Sequence, residues 1–360
     1  MSNKITILLL FVLAAFAAFL GGYFLSHKSV VDTSPQQGLL NNTLVSRFKE
    51  SPEKYSAPVG LFTISREKAS FPYLAKSGKD VLYYYPSRGE VRSSAIEGSG
   101  NNSALVATIK PGALDIQWSS ESKLLATYVD GNILYDLSSG SSKELDKDLV
   151  SPSFSNPGAH VVYNRLTPGA TGGDIRISDA DFTNFKTLLS TRIASWDLGW
   201  IDNDNIYLLK QPTLINQQSS LLTLGVETKK LSSILGDKKD LQVSWSPDGQ
   251  KLLYSYVSNS AERELYVMTL SDKNSELLDL GIVASQCVWS IDNKTVFCGS
   301  GNSFFSLDTS ITRPEHTRIT SLGRDTFNIS VINPLLTSSE AYVVFINDQD
   351  GKLYGLSLDK

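Results

Sequence analysis

The chain repeats itself at intervals near 43 residues, and no other feature restricts its fold as much. Trp118, Phe154, Trp200, Trp245 and Trp289 follow one another at intervals of 36, 46, 45 and 44 residues. Leu74 lies 44 residues before the first of them, and Ile332 lies 43 after the last. Behind each comes a short polar turn and then an apolar, β-branched or aromatic run. Ser119-Ser120-Glu121-Ser122 precedes Leu124-Leu125-Ala126, and Ile201-Asp202-Asn203-Asp204-Asn205 precedes Ile206-Tyr207-Leu208-Leu209. A later strand signal recurs as well, at Leu134-Tyr135, Leu265-Tyr266, Phe304-Phe305 and Leu353-Tyr354. A four-stranded propeller blade occupies roughly 40–45 residues, whereas leucine-rich repeats are shorter and helical repeats carry a period of 3.6. A β-sandwich with coincidentally spaced tryptophans is the alternative, and the shared order of aromatic, turn and strand argues against it.

The fifth unit is the most complete. Trp245-Ser246-Pro247-Asp248-Gly249 ends one strand and turns into Lys251-Leu252-Leu253-Tyr254. Pro247 presets φ early in the turn, and Gly249 takes the left-handed position that a Cβ would penalise. This unit resembles the repeat of TolB-like β-propellers, the WD40-like (PD40) repeat, over about residues 59–360. The resemblance implies an all-β fold of seven four-stranded blades. It also implies closure of the ring by a strand near Gly60–Ile64, completing the last blade from outside, because an open ring leaves two sheet edges exposed. In the family's namesake an α/β domain precedes the propeller. Residues 26–58 are too short to form one, so no binding residue is carried over.

Ahead of the repeats, a tail of residues 1–4 leads into Ile5–Leu25, a run of 21 residues without charge. As a helix it spans about 31 Å, the thickness of a bilayer core. It reads as an uncleaved transmembrane signal anchor, with a cleaved signal peptide as the alternative. Residues 26–58 read as a juxtamembrane linker, part short helix or wholly flexible. The propeller is then expected outside the cytoplasm, on a single-pass membrane protein. A formal charge of −4 and the absence of basic runs argue against nucleic-acid binding.

Motifs for catalysis are missing. Three histidines, His27, His160 and His316, are too few for a histidine-rich metal cluster. No Gly-x-Ser-x-Gly elbow occurs. Asp348-Gln349-Asp350-Gly351 resembles half a calcium loop but lacks a closing acidic residue. No cofactor or metal is therefore expected, and the chain is expected not to be an enzyme. The expected function is a binding or scaffolding module for a protein or a cell-envelope glycan. One alternative is a propeller enzyme of lyase or glycosidase type acting on envelope polysaccharide. Its signature would be buried carboxylates converging from separate repeats with raised pKa values. Another is an accessory or sensor subunit of a membrane complex.

Two further expectations concern named residues. Cys287 and Cys298, the only cysteines, flank one hairpin closely enough for a disulfide, and two buried thiols are the alternative. The loops between second and third strands are long in three successive units, 166–173, 210–219 and 258–264. Arg165 and Lys210 stand at their bases, and Asn216, Gln217, Gln218, Asn259 and Arg263 near their tips. Long loops on one side suggest a polar partner-binding sector, with tolerated insertion as the alternative.

Overall fold

The computed structural model describes residues 60–96, 103–169, 171–194, 196–213, 217–278, 280–301, 303–310, 316–321 and 329–358. The run 5–25 expected to cross a membrane, the expected linker 26–58 and Asn216 lie outside them. Within them, no helix is long and apolar enough to cross a membrane.

Apart from a single 3-10 turn at Ala284–Gln286, the elements are β-strands. The first, β1 (Leu61–Thr63), precedes the repeats. An antiparallel sheet follows in chain order, of β2 (Ser70–Leu74), β3 (Asp80–Tyr85), β4 (Glu90–Ala95) and β5 (Ala104–Thr108). The second sheet holds β6 (Asp115–Ser120), β7 (Lys123–Tyr128), β8 (Gly131–Asp136) and β9 (Ser141–Leu145). The third holds β10 (Leu149–Phe154), β11 (His160–Leu166), β12 (Gly173–Asp179) and β13 (Lys186–Thr191). A seven-stranded sheet comes next: β14 (Trp196–Trp200), β15 (Asn205–Lys210), β16 (Gln218–Gly225), β17 (Leu231–Trp245), β18 (Lys251–Val257), β19 (Arg263–Thr269) and β20 (Ser275–Leu277). It is two four-stranded sets sharing the long β17, whose early residues pair with β16 and later ones with β18. The last sheet contains β21 (Cys287–Trp289), β22 (Thr295–Gly301), β23 (Ser303–Asp308), β24 (His316–Ser321), β25 (Ile329–Leu336), β26 (Tyr342–Asn347) and β27 (Lys352–Ser357), with β1 outside β27. It too is two sets, bridged where Ser300 and Gly301 meet Ser330 and Ile329. Four-stranded antiparallel sets repeated in chain order make this a β-propeller.

Packing explains why the middle strands read as continuous apolar runs. Val343 and Phe345 on one face of β26 pack with Phe304 and Val331. Val344 and Ile346 on the other face pack with Val81 and Tyr83. A strand sandwiched between two neighbouring sheets must be apolar on both faces. The edge is closed as expected: β1 pairs antiparallel with β27, Leu61 opposite Leu356 and Thr63 opposite Tyr354. Ile64 and Ser65 extend the seam through bonds from both backbone N–H groups to the Leu353 carbonyl.

The repeat register holds in six units. Leu74, Trp118, Phe154, Trp200, Trp245 and Trp289 pair with Val81, Leu124, Val161, Ile206, Leu252 and Val296, each the second residue of its strand. In the last unit Leu336, opposite Val343, takes this place instead of Ile332. A bulge between Ile332 and Leu335, with Asn333 at φ 49°, carries β25 onward past Pro334. A pattern search reads Asn-Pro as the turn and so stops too early.

The tryptophans do more than fill space. The Trp118 indole N–H donates to the Phe71 carbonyl at 2.9 Å, that of Trp200 to Ser153 at 2.9 Å, and that of Trp289 to Ser244 at 3.2 Å. Each bond reaches the inner strand of the preceding set. Trp289 is buried, while Trp118, Phe154, Trp200 and Trp245 are half-buried. Replacing Trp200 with Phe keeps the ring and removes the tie. It is expected to cost about 1 kcal/mol in denaturant unfolding, and an unchanged midpoint would show the bond to be immaterial.

Cys287 lies directly opposite Cys298 on the hairpin of β21 and β22, and the two form a disulfide. Such a bridge typically adds ~2–4 kcal/mol. Intact mass without reductant is expected to show no alkylatable thiol; two free thiols in freshly isolated protein would contradict it.

Candidate active site

Three residues before each register position stand Phe71, Asp115, Ser151, Asp197, Gln242, Gln286 and Asn333. Phe71, Ser151 and Asn333 have φ of 54°, 49° and 49°, and a proline follows each. Their inner strands bulge there. Asp115 and Asp197 instead sit in regularly paired stretches, opposite Thr127 and Leu209. Both line one pocket of about 390 Å³, with Gln117, Tyr128, Asn132, Lys147, Ser151 and others. Two repeats that are not adjacent in sequence thus deliver a carboxylate each to one cavity.

The surroundings hold these groups in place. Gln117 Nε2 donates to Asp115 Oδ2 at 3.0 Å. Ser151 Oγ donates to the Trp196 carbonyl at 2.6 Å, tying β10 to the residue before Asp197. The buried Asn132 donates to the carbonyls of Asp146 and Leu149, at 3.2 and 2.9 Å, and so pins the entry to β10. Gly199 makes room for a neighbour: a Cβ there would lie 2.3 Å from the Tyr207 ring. The ring therefore lies against the inner strand, within the field of Asp197.

Electrostatics singles out Asp197. Asp197 is pushed up to about 6, first by the protein mass that displaces bulk water, then by the negative charge of Asp115; the Leu198 N–H partly offsets this. The side chain itself is exposed, so the upward push comes from protein packed around the carboxyl within a wider radius and is moderated by the water that reaches it. Tyr207 is raised by burial and by the charge of Asp197. A carboxyl that keeps its proton towards neutral pH, beside a second carboxylate, is an acid–base pair in the chemical sense.

The residues expected to bind a partner lie at the same end of the strands. Arg165 is opposite Leu149, and Lys210 is opposite Trp196. Arg165 is held by Asp146 at 2.7 Å and Asp148 at 3.2 Å. Arg263 is held by Asp240. Gln217, Gln218 and Asn259 are exposed, and the last two line a separate polar groove of about 470 Å³ with Lys238, Tyr256 and Glu264. Sequence reasoning singled out these loops and passed over Asp115 and Asp197. The signal was present, since each acid stands three residues before a repeat tryptophan.

Neither a protein-family model nor a curated protein sequence matches the chain. Solved structures do. An oligogalacturonate lyase in complex with manganese superposes at a TM-score of 0.60 with 11% identity, covering 84% of this chain and 91% of that one. An oligogalacturonate lyase from Vibrio parahaemolyticus gives 0.57 with 12% identity, covering 84% and 93%. The Cps50 (Swd1) β-propeller domain of Myceliophteria thermophila gives 0.55 with 11% identity, covering 82% and 99%. At these identities the likeness is one of fold, and it bears out the propeller that the repeat resemblance implies.

It also corrects one expectation. A chain without a catalytic motif was expected not to be an enzyme, yet lyases share its architecture. A propeller gathers its site from separate repeats, so no contiguous motif is needed. Among the described residues no three His, Cys, Asp or Glu side chains come together, and the pocket wall offers two carboxylates and no imidazole.

Proposed function

We propose that this chain is a membrane-anchored, seven-bladed propeller that works outside the cytoplasm and cleaves a polysaccharide of the cell envelope. The observation that carries the reading is the shared pocket of Asp115 and Asp197, with Asp197 raised to about 6. Asp197, which holds its proton longer, is the general acid that protonates the departing glycosidic oxygen. Asp115 is the base of the pair. Seven register positions support seven blades. The uncharged run 5–25 supports the anchor, and the disulfide suits an oxidising compartment. Arg165 and Lys210, at the bases of two of the long loops, stand at the pocket's end of their strands, opposite Leu149 and Trp196, where a polymer crossing the mouth would pass.

The test uses the full chain in detergent or native membrane, incubated with purified envelope polysaccharides. Shortened chains are expected, and their release is expected to stop in the Asp197→Asn variant. Release that continues undiminished in that variant, or no release at all, would sink the reading.

A further inference from the structure

We infer that the end of the inner strands away from the acid pocket carries a second binding site, a trough for a chain of uncharged sugars. The trough shares no residue with the Asp115–Asp197 pocket, and binding there does not depend on cleavage. The strands that begin near the acids end at the trough: β6 starts at Asp115 and carries Trp118, and β14 carries Asp197 and ends at Trp200. Two cavities meet there at Asn156. One, of about 550 Å³, lies among the first three units, with Tyr73, Trp118 and Phe154 in its wall. The other, of about 430 Å³, lies among the third, fourth and fifth units, with Trp200 and Trp245 in its wall.

The wall points to the ligand's chemistry. All five rings are half-buried, so each keeps part of its surface open. They are also held in place. Tyr73 stacks on Trp118 with ring centres 5.3 Å apart, and Tyr207 stacks on Trp245 at 5.9 Å. The indoles of Trp118 and Trp200 are tied to the preceding unit. Rings fixed before binding lose little freedom when a ligand arrives. Between them stand Ser120, Ser122, Asn156 and Asn203, hydroxyls and amides that both donate and accept hydrogen bonds. A pyranose ring matches this mixture, with apolar C–H groups on its face and hydroxyls around its edge. Lys76 is the one basic residue in either wall, whereas a phosphate polymer is held by several cations. The two acids are engaged within the chain: Glu121 accepts the Lys76 backbone N–H, and Asp202 accepts the Asn205 side-chain amide at 3.0 Å. A lipid tail would leave the hydroxyls and amides without partners. The rings recur unit after unit, so a polymer with a repeating residue meets the same surface at each step. A peptide changes its side chain at every step and gains less from such repetition.

The experiment titrates the full chain in detergent with glucose-based and N-acetylglucosamine-based oligosaccharides, each as disaccharide and hexasaccharide, and with a proline-rich peptide. Tryptophan emission and affinity are read in the parent and in Asp197→Asn, where no cleavage is expected. A hexasaccharide of one series is expected to bind with a change in emission, at least ~10-fold more tightly than its disaccharide, because it reaches more rings. Tyr73→Ala is expected to lower that affinity at least ~10-fold while cooperative melting is retained. If that variant does not fold, Asn156→Ala at the exposed junction is expected to lower it about 3-fold. Asp197→Asn is expected to bind as the parent does. Absence of binding by either hexasaccharide, or full affinity in the variant of Tyr73 or Asn156, would overturn the inference. Affinity lost in Asp197→Asn alone would place the sugar in the acid pocket, overturning the trough and leaving the proposed cleavage standing. Capture of the proline-rich peptide in place of the sugars would make the trough a peptide site and overturn the inference as well.

Discussion

Above pH 6, the Asp197→Asn variant is expected to be more stable than the parent chain while releasing no product. Both effects come from one perturbed proton. The carboxyl of Asp197 is raised from 3.8 to about 6 in the folded chain. Between these two values the folded state holds more proton than the unfolded state. Stability therefore falls as pH rises through that window and stays at the lower level above it. Asparagine carries no charge, so the variant escapes this loss. Below pH ~4 both side chains are neutral and the two proteins converge. The side chain touches water, and screening shrinks the effect. A rise in Tm on the order of 1–2 °C at pH 8, absent at pH 3.5, is expected. A difference in Tm that does not change with pH would show that the carboxyl is not raised. Activity of the parent is expected to fade as pH climbs through about 6, because the general acid is then lost; activity that rises across that range would assign the acid to another group.

Opening the seam between β1 and β27 should unfold the propeller outright. Leu61 and Ile64 are 5% and 0% exposed. Leu61 packs with Phe345 and Leu356, and Ile64 with Tyr83 and Val344. Truncating one such aliphatic side chain to alanine costs about 2–5 kcal/mol. The pair together approaches the whole stability of an ordinary domain, roughly 5–15 kcal/mol. The variant Leu61→Ala/Ile64→Ala is expected to lose cooperative thermal unfolding, or to melt far below the parent. Each single variant should retain a transition. A double variant that melts within a degree or two of the parent would mean that the ring does not depend on this strand.

Much of this architecture is written in local sequence because every repeat solves the same packing problem. A hairpin turn must satisfy its own backbone, so Ser246 Oγ bonds to Asp248 and to the Lys251 backbone, and Gly249 adopts φ 67°. Those demands recur in unit after unit and leave a readable spacing. The closing strand was legible for a related reason, since an unpaired edge needs a partner and Leu61–Thr63 has the right residues. Cys287 and Cys298 were placed opposite each other by hairpin geometry alone.

Only the tertiary structure decided the rest. Asp115 and Asp197 lie 82 residues apart in the chain, and each reads as an ordinary strand-start acid until the ring brings them to one cavity. The raised pKa of Asp197 is a property of that cavity's walls and of the second charge, neither of which any single repeat contains. Arg165 and Arg263 read as open loop cations, and the fold engages both with nearby aspartates. The last unit's register shifted from Ile332 to Leu336 because a bulge at Asn333 lengthens the strand. Local hydrogen bonding and periodic burial are dictated within a few tens of residues. Fields and cavities depend on side chains that single repeats contribute once, and they exist only after the blades have packed.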